Sequence, residues 1–457
     1  MFPINSSIFK AYDIRGIYKS DFNEELAYLL GLAFVELRKS DPDYIPGQSL
    51  KIAVGQDMRL SSPALKTELL RGLAAAGAEA VDLGLVATPT LYFAVGHYKY
   101  DGGIMISASH NPKEWNGFKL VRAQGVPVSG ETGINFLRDK IMSGELTPAV
   151  TAGLISENNE TTTAATKYTL SCVPTGKIKP FKIVVDTANG MGATYITPLF
   201  AKLPFKLIPL NFELDGSFPA HEADPLKEAN LAQLQAAVKT NTADLGIAID
   251  GDGDRLFFID NEGGIINPTI TRGLLAKLFL ADQPGAKMGY DVRPGQITVD
   301  LIKEGGGQPV LTHVGHSLIK EQMIKENIYF AGESSGHFYW QGEAGCFEYP
   351  GVIILKMLLA LSLSGQTAAD FIRPYNKYFA SGEINREVGD KDAVMEKIIT
   401  AYPDGQLSRL DGVTITYPTF WFNVRGANTE PKIRLNLEAI DPETMAAKRD
   451  EVLKLIV

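Results

Sequence analysis

Three aspartates stand at alternate positions in residues 250–255, which read Asp-Gly-Asp-Gly-Asp-Arg and follow an apolar run. Their carboxylates can converge on one hard cation, because the glycines relieve backbone crowding and Mg²⁺ prefers oxygen ligands. A calcium EF-hand is excluded, because its loop needs glycine at position six and glutamate at position twelve, where this chain has Arg255 and Asn261. A solvated acidic turn is the alternative, but carboxylates this close repel one another unless a cation neutralises them. The predicted magnesium ligands are Asp250, Asp252 and Asp254.

A polar loop at residues 107–112, Ser-Ala-Ser-His-Asn-Pro, follows the apolar run of residues 102–106. That run has the length and β-branching of a buried strand, and Asn-Pro is typical of a turn. We therefore expect Ser109 at the tip of a tight connection where a strand ends, which is where α/β sheets place their ligand chemistry. A plain polar hairpin tip is the alternative for this loop taken alone.

Three further loops carry groups that could bind a substrate. Residues 333–337, Glu-Ser-Ser-Gly-His, offer partners for vicinal hydroxyls and a histidine that can exchange a proton near neutral pH. Residues 425–431, Arg-Gly-Ala-Asn-Thr-Glu-Pro, have the arginine, amide and hydroxyl donors that suit a phosphate. Residues 314–317, Val-Gly-His-Ser, are ambiguous. Each loop has a plain alternative, a solvated polar turn.

The sequence lacks the motifs of several common nucleotide-binding and hydrolase sites. There is no Walker A loop, no Rossmann glycine fingerprint and no Gly-x-Ser-x-Gly elbow around Ser109. The net charge of −9 argues against a sequence-independent nucleic-acid surface. The two cysteines, Cys172 and Cys346, form no Cys-x-x-Cys pair, so we expect reduced, inert thiols and a cytoplasmic location.

No membrane segment is predicted either. The N-terminus lacks a basic stretch followed by an apolar core, so we expect no signal peptide. The most apolar segment, residues 351–363, is interrupted by Lys356 and is too short to span a bilayer, which favours a buried helix.

Strands alternate with helices along most of the chain, which predicts βαβ units and mainly parallel sheets. The pattern changes after about residue 370, where β-rich runs precede a terminal helix from Pro442. Residues 295–300, Gly-Gln-Ile-Thr-Val-Asp, are interpreted as a strand because of their β-branched run. The predicted fold is α/β, with three related mixed α/β domains followed by a smaller α+β domain. The predicted boundaries give residues 1–148, 149–259, 260–369 and 370–457.

These loops, in this order, resemble the α-D-phosphohexomutase family, most closely its phosphomannomutase/phosphoglucomutase branch, over essentially the whole chain. The resemblance implies four domains around a central cleft and a phosphorylated serine at Ser109, whose phosphate completes the magnesium site. It also implies two groups of residues that contact the substrate. The sugar-binding residues would be Glu333 and Ser335, with the further contacts Tyr12 and His316. The residues holding the phosphate that does not react would be Arg425, Asn428 and Thr429.

The same resemblance implies the residues that assist phosphoryl transfer. Lys119 would be the base that takes the hydroxyl proton, since a lysine beside cations can have a lowered pKa. His337 would be a second proton-transfer group, Arg15 would support the phosphoserine, and Arg255 would offset charge on the transferred group. Two positions depart from the branch pattern: Ser334 replaces the usual methionine, and Ala427 stands where a serine often precedes the asparagine.

The implied reaction interconverts a hexose 1-phosphate and a hexose 6-phosphate, of mannose or glucose, through a 1,6-bisphosphate that also acts as activator. Its partners would be Mg²⁺ and a phosphosugar, in a monomer or weak homodimer, without nucleic acid or membrane. Phosphoglucosamine mutase is an alternative, although that branch usually has glycine where this chain has Asn428. Two further hypotheses are a non-catalytic phosphosugar-binding regulator and a metal-dependent phosphatase.

Overall fold

The computed structural model of the protein describes residues 4–293, 295–426 and 432–456. Its contacts divide the chain into two compact units. Within the described residues, unit 1 comprises residues 4–266, 316–325 and 335–371, and unit 2 comprises residues 267–315, 326–334 and 372–456.

The first sheet, in unit 1, has six strands in the order β1-β5-β4-β2-β3-β6. The strands are β1 Ile14–Ile17, β2 Lys51–Gln56, β3 Glu79–Leu85, β4 Gly102–Ile106, β5 Trp115–Arg122 and β6 Ile155–Glu157. The helices are α1 Glu24–Ser40, α2 Ser62–Ala75, α3 Thr88–His97 and α4 Asn135–Ser143. Strands β2, β3, β4 and β6 are parallel, and β5 runs antiparallel to β4 and β1. Every residue of β4 is buried, as its unbroken apolar sequence predicts.

The second sheet, also in unit 1, has the order β11-β10-β9-β7-β8. Its strands are β7 Lys182–Asp186, β8 Lys206–Leu210, β9 Leu245–Ile249, β10 Leu256–Asp260 and β11 Ile265–Ile266. The helices around it are α5 Thr161–Ser171, α6 Gly192–Phe200 and α7 Ala232–Thr240. Strands β8, β7 and β9 are parallel, whereas β9 and β10 form an antiparallel hairpin. The three aspartates therefore lie in the connection of that hairpin.

The helices and strands of residues 268–372 fall partly in unit 1 and partly in unit 2. Unit 2 holds helix α8 Pro268–Asp282, the parallel strands β12 Lys287–Asp291, β13 Gln308–Thr312 and β14 Ile328–Gly332, and helix α9 Gln296–Glu304. Helix α10 covers His316–Glu326. Unit 1 holds the antiparallel hairpin of β15 Phe338–Gly342 and β16 Gly345–Glu348, followed by helix α11 Pro350–Ser364. Helix α12 covers Ala368–Ile372.

The strand predicted at residues 295–300 is wrong, because this segment opens helix α9. Its β-branched residues favour a strand locally, but Ile297, Leu301 and Ile302 are buried at helical spacing. Burial of that one face outweighs the weak local preference.

The fourth sheet, in unit 2, is antiparallel, in the order β17-β21-β20-β19-β18. Its strands are β17 Phe379–Glu387, β18 Gln406–Ser408, β19 Val413–Thr416, β20 Phe420–Gly426 and β21 Lys432–Ala439, and its helices are α13 Lys391–Ala401 and α14 Pro442–Leu455. Helix α14 begins where expected, since the Asp441 carboxylate accepts from Thr444 N at 2.7 Å. Parallel-stranded α/β segments followed by a small antiparallel α+β segment confirm the predicted fold class.

Two predictions about apolar and sulfur-bearing side chains are confirmed. Helix α11 covers the most apolar segment, and twelve of its fifteen residues are buried. In the described part of the chain, no single helix is long and apolar enough to cross a membrane, although the bent pair Pro350–Ser364 and Ala368–Tyr375 passes on length and composition. Cys172 and Cys346 are free thiols, and burial raises the pKa of Cys346 to about 12, so neither is a reactive thiolate near neutral pH.

Candidate active site

Ser109 lies in the connection between β4 and β5, in unit 1, and is buried rather than exposed at a hairpin tip. Its backbone is left-handed, with φ of 50°. Its amide donates to Ser107 Oγ at 2.9 Å. A serine in this backbone region is strained, and such strain persists only where the surroundings enforce it.

The three aspartates of the β9–β10 connection form one buried cluster, whose ligand oxygens lie within 4.8 Å of one another. The Ser109 hydroxyl donates to Asp250 Oδ2 at 2.8 Å. The structure therefore joins two loops that are 141 residues apart in the sequence.

Backbone amides of the connection between β9 and β10, residues 250–255 and here called the acidic loop, donate to the Asp250 side chain. Asp250 Oδ1 accepts from the amides of Gly253, Asp254 and Arg255 at 3.2, 3.1 and 3.1 Å. Burial, and after it the Asp254 and Asp252 carboxylates, raises the pKa of Asp250 to about 8. Such a cluster stores electrostatic repulsion that a bound cation would relieve.

The cluster fits Mg²⁺ in its donor chemistry. All the candidate ligands are oxygens, and Asp252 Oδ1 is buried without a hydrogen-bond partner among the described residues. Positive charge at the cluster comes from the Lys119 ammonium, 2.6 Å from both Asp252 Oδ2 and Asp254 Oδ2, and from Arg255, whose Nε is 3.9 Å from Asp250 Oδ2. Asp250, Asp252 and Asp254 are therefore the residues that could hold the cation.

Lys119 lies on β5 beside two carboxylates of the acidic loop. Burial favours the neutral amine, but the Asp252 and Asp254 carboxylates outweigh it and hold the pKa of Lys119 well above its usual range. A cation bound by the same two carboxylates would shift the pKa of Lys119 in the opposite direction, so its role as the base stays a prediction.

Part of the predicted sugar-binding loop lies against the acidic loop within unit 1. His337 Nε2 is 3.2 Å from Asp254 Oδ1, and His337 Nδ1 is 2.9 Å from Ser335 Oγ. Arg255 Nε lies 3.5 Å from the same Nε2 atom. His337 is therefore held between a carboxylate and a hydroxyl, with a guanidinium beside it.

Arg15, Tyr12 and His316 also lie in unit 1. Arg15 Nη1 donates to Asn111 Oδ1 at 2.9 Å, so Arg15 contacts the loop that carries Ser109. The rings of Tyr12 and His316 meet edge-on, 6.3 Å apart. Burial, with the nearby Lys320 ammonium, holds the pKa of His316 well below its usual range, so this imidazole is neutral near pH 7.

The remaining predicted residues belong to unit 2 or lie outside the described residues. Glu333 Oε1 accepts from Gly315 N at 3.0 Å and from Arg293 Nη2 at 3.4 Å. Arg425 Nη2 donates to Glu383 Oε2 at 3.1 Å. Asn428 and Thr429 are not among the described residues.

Sequence reasoning missed three residues that contact the site loops. Thr88, in the first turn of α3, donates its hydroxyl to Asp252 Oδ2 at 2.5 Å. Arg293 follows β12 and reaches Glu333, and Arg59 follows β2 and reaches the Ser109 loop. Both arginines come just after the carboxyl end of a parallel strand, which is the signal that could have found them.

Models of one protein family match nearly the whole sequence of the chain. Models of the phosphoglucomutase/phosphomannomutase alpha/beta/alpha domains I, II and III match residues 6–147, 164–264 and 268–378. The model of the C-terminal domain matches residues 383–455. The chain belongs to the phosphoglucomutase/phosphomannomutase family. The resemblance drawn from the motifs is confirmed, and the chain is an enzyme of the phosphohexomutase class.

Individual members of the phosphoglucomutase/phosphomannomutase family match the chain from end to end. A protein described as phosphohexose mutases, from Xanthomonas campestris pv. campestris, is 38% identical over 98% of this chain and 98% of its own. A phosphomannomutase from Escherichia coli is 37% identical over 98% of both chains. The crystal structure of a phosphoglucomutase/phosphomannomutase family protein from Burkholderia thailandensis superposes with a TM-score of 0.87 at 31% identity, covering 99% of this chain and 97% of that one.

Proposed function

We propose that this enzyme interconverts hexose 1-phosphate and hexose 6-phosphate, with mannose or glucose as the sugar, through a phosphoserine at Ser109 and a 1,6-bisphosphate. The observation that carries the proposal is the 2.8 Å hydrogen bond from the Ser109 hydroxyl to a buried cluster of three carboxylates. The four domains predicted at residues 1–148, 149–259, 260–369 and 370–457 are part of this proposal.

The first half-reaction moves a phosphoryl group from Ser109 to the sugar. The bond between phosphorus and the Ser109 oxygen breaks as a bond forms to the free sugar hydroxyl, whose proton passes to a base. The bisphosphate then reorients, and the reverse reaction returns its other phosphoryl group to Ser109. Bound Mg²⁺ would supply charge stabilisation for the transferred group, as in other phosphoryl transfers.

Side chains of the protein stabilise the transferred charge and move the proton. Arg255 stabilises the charge that develops on the phosphoryl oxygens. Lys119 is the base that takes the hydroxyl proton, and His337 is a second proton-transfer group, because an imidazole can exchange a proton near neutral pH.

Other residues bind and orient the substrate in this proposal. Arg15 supports the phosphoserine loop, which it contacts through Asn111. Glu333 and Ser335 bind sugar hydroxyls, with Tyr12 and His316 as further contacts. The phosphate that does not react is held by Arg425, Asn428 and Thr429.

A coupled assay with mannose 1-phosphate and glucose 1-phosphate, each with a trace of the matching 1,6-bisphosphate, tests the activity. Formation of the hexose 6-phosphate without release of inorganic phosphate supports a mutase. Release of phosphate in proportion to substrate consumed would instead identify a phosphatase, and turnover of glucosamine 1-phosphate alone would identify phosphoglucosamine mutase. No turnover of any of them would favour the regulator.

A substitution at Gly251 tests how closely the loop with the three aspartates must approach the loop that carries Ser109. A Cβ atom added there would lie 2.5 Å from the Ser109 carbonyl oxygen, a backbone atom that cannot swing aside. We expect Gly251→Ala to lower kcat about 10- to 100-fold by displacing Ser109 from the carboxylates.

Steady-state kinetics of Gly251→Ala and of Gly176→Ala check this expectation. Gly176 is a matched control, because an added Cβ there meets nothing within 4 Å. Equal kcat values for the two variants would show that the loops tolerate separation.

A further inference from the structure

Arg59 makes an unusual set of contacts with the loop that carries Ser109. Its guanidinium is buried in unit 1, directly after strand β2 and Asp57. Nη2 donates to two carbonyls and Nη1 to two more, all of them within residues 109–115. The four acceptors are Ser109 O at 2.8 Å, Asn111 O at 2.6 Å, Pro112 O at 2.7 Å and Trp115 O at 2.9 Å.

The Nε atom of Arg59 forms an ion pair with Asp57 but makes no hydrogen bond among the described residues. The Nε atom is 3.2 Å from Asp57 Oδ2, and both side chains are fully buried. Asp57 is itself fixed, since its Oδ1 accepts from Arg59 N at 3.0 Å and from Ser62 Oγ at 2.6 Å. A lysine at position 59 could not reproduce this arrangement, because its three donors radiate from one atom whereas guanidinium presents five in a planar fork.

A segment between β8 and α7 closes the other side of Arg59. A Cβ atom added at Gly216 would lie 2.6 Å from Arg59 Cα, so the two backbones pack with no room for a side chain. The Phe218 ring centroid lies 5.0 Å from the guanidinium carbon, within the range of a cation–π contact. These contacts leave Arg59 little freedom to take another rotamer.

Arg59 and Gly251 together fix the carbonyl of Ser109. Arg59 holds the carbonyl oxygen by a hydrogen bond, and the Gly251 backbone packs directly against it. The backbone of Ser109 at this point is left-handed, with φ of 50°, and its hydroxyl donates to Asp250, so holding the peptide that follows Ser109 keeps the loop in this arrangement.

We propose that Arg59 is a positioning residue for phosphoryl transfer, which holds the Ser109 loop in the strained backbone that aims the serine oxygen at the acidic cluster. The inference rests on the proposed function of Ser109 as phosphoryl carrier. Arg59 touches neither substrate nor reacting atoms in this role. It acts on the rate of transfer, and not on the affinity for the sugar phosphate, because its neighbours are carbonyls of the Ser109 loop, Asp57 and the Phe218 ring.

Loss of this positioning has a chemical signature. A loosened phosphoserine loop transfers its phosphoryl group to the sugar more slowly and exposes that group to hydrolysis by water. In that side reaction the bond from phosphorus to the Ser109 oxygen breaks and a bond to a water oxygen forms. The water proton ends on the serine oxygen, and inorganic phosphate is released. The ratio of phosphate released to hexose 6-phosphate formed therefore rises.

The test compares Arg59→Lys with Arg38→Lys in the full-length enzyme. Arg38 is a matched control, a buried arginine of helix α1 that donates to the Asp101 carbonyl at 2.9 Å and pairs with Asp43 at 2.9 Å. We expect Arg59→Lys to lower kcat about 100-fold with KM within about twofold, and to raise the phosphate-release ratio about 10-fold. Arg38→Lys should lower Tm by as much as Arg59→Lys does. Its kcat and its ratio of phosphate released to hexose 6-phosphate formed should stay within about twofold of wild type.

A second variant keeps the test decisive should Arg59→Lys fail to fold. Phe218→Ala removes only the ring on the guanidinium, and we expect a kcat about 3- to 10-fold lower, with KM unchanged and phosphate release increased. An Arg59→Lys enzyme indistinguishable from Arg38→Lys in kcat and phosphate release would overturn the proposal. So would a Phe218→Ala enzyme with wild-type values of both.

The Ser109→Ala enzyme separates this inference from the function on which it rests. An active Ser109→Ala enzyme would overturn the phosphoserine mechanism itself. If Ser109→Ala is inactive and Arg59→Lys behaves like the control Arg38→Lys, only the role of Arg59 is overturned.

Discussion

Ser109→Ala is expected to lower isomerisation by about 10⁴-fold or more, because the oxygen that carries the phosphoryl group is lost. Ser109 Oγ is buried 2.8 Å from Asp250 Oδ2. Alanine keeps the small volume of the side chain, so the buried loop can keep its packing. The coupled assay, with hexose 1-phosphate and the 1,6-bisphosphate, measures the loss.

Stability should change far less than activity in Ser109→Ala. The substitution removes a hydrogen bond to a carboxylate and a 3.2 Å hydrogen bond with His110 Nδ1, together worth about 2–4 kcal/mol. Circular dichroism and a thermal melt should therefore show a folded enzyme. Ser143→Ala is a matched control, since Ser143 is exposed and its hydroxyl bonds only locally, to Lys140 O and Glu145 N. Mutase turnover by Ser109→Ala within tenfold of that control would contradict the phosphoserine assignment.

Asp252→Asn is expected to lower kcat about 10³-fold, because it removes a ligand charge from the cation site and a partner of Lys119. The substitution is nearly isosteric, and the Thr88 hydroxyl can still donate to the remaining oxygen. The loss is therefore a loss of charge and coordination, not of shape.

Magnesium-dependent stability gives a readout of the same site that does not depend on turnover. A ligand that binds only the folded state stabilises it, by about 2.7 kcal/mol when its concentration is 100 times Kd. Wild-type enzyme stripped with EDTA should thus gain several degrees in Tm on adding Mg²⁺, and Asp252→Asn should gain little.

Asp139→Asn is the charge-matched control for this experiment, because Asp139 is 67% exposed and pairs with the neighbouring Arg138. It should keep both the activity and the magnesium-induced rise in Tm. A full magnesium response in Asp252→Asn would show that the cation binds elsewhere in the protein.

The loops that carry the chemistry could be predicted from sequence because each is a contiguous turn after a strand. Residues 107–112 and residues 250–255 hold their functional groups within a few positions, so local turn chemistry and residue type are enough to find them. The pairing of those loops did not follow from residue type and spacing. It came from the resemblance to a family, and the 2.8 Å contact between Ser109 and Asp250 comes from the structure.

Most of the helix and strand order and the candidate loops follow from the sequence alone, since burial patterns and turns are local properties. The cation class that the ligand oxygens favour stays a prediction. The tertiary structure decided everything that depends on which groups become neighbours. Two carboxylates from a distant loop raise the pKa of Lys119, which the sequence did not predict, and buried helical packing makes residues 296–304 a helix where a strand was predicted over residues 295–300. Arg59 was missed because its partners are backbone carbonyls, which every residue has and no sequence letter distinguishes.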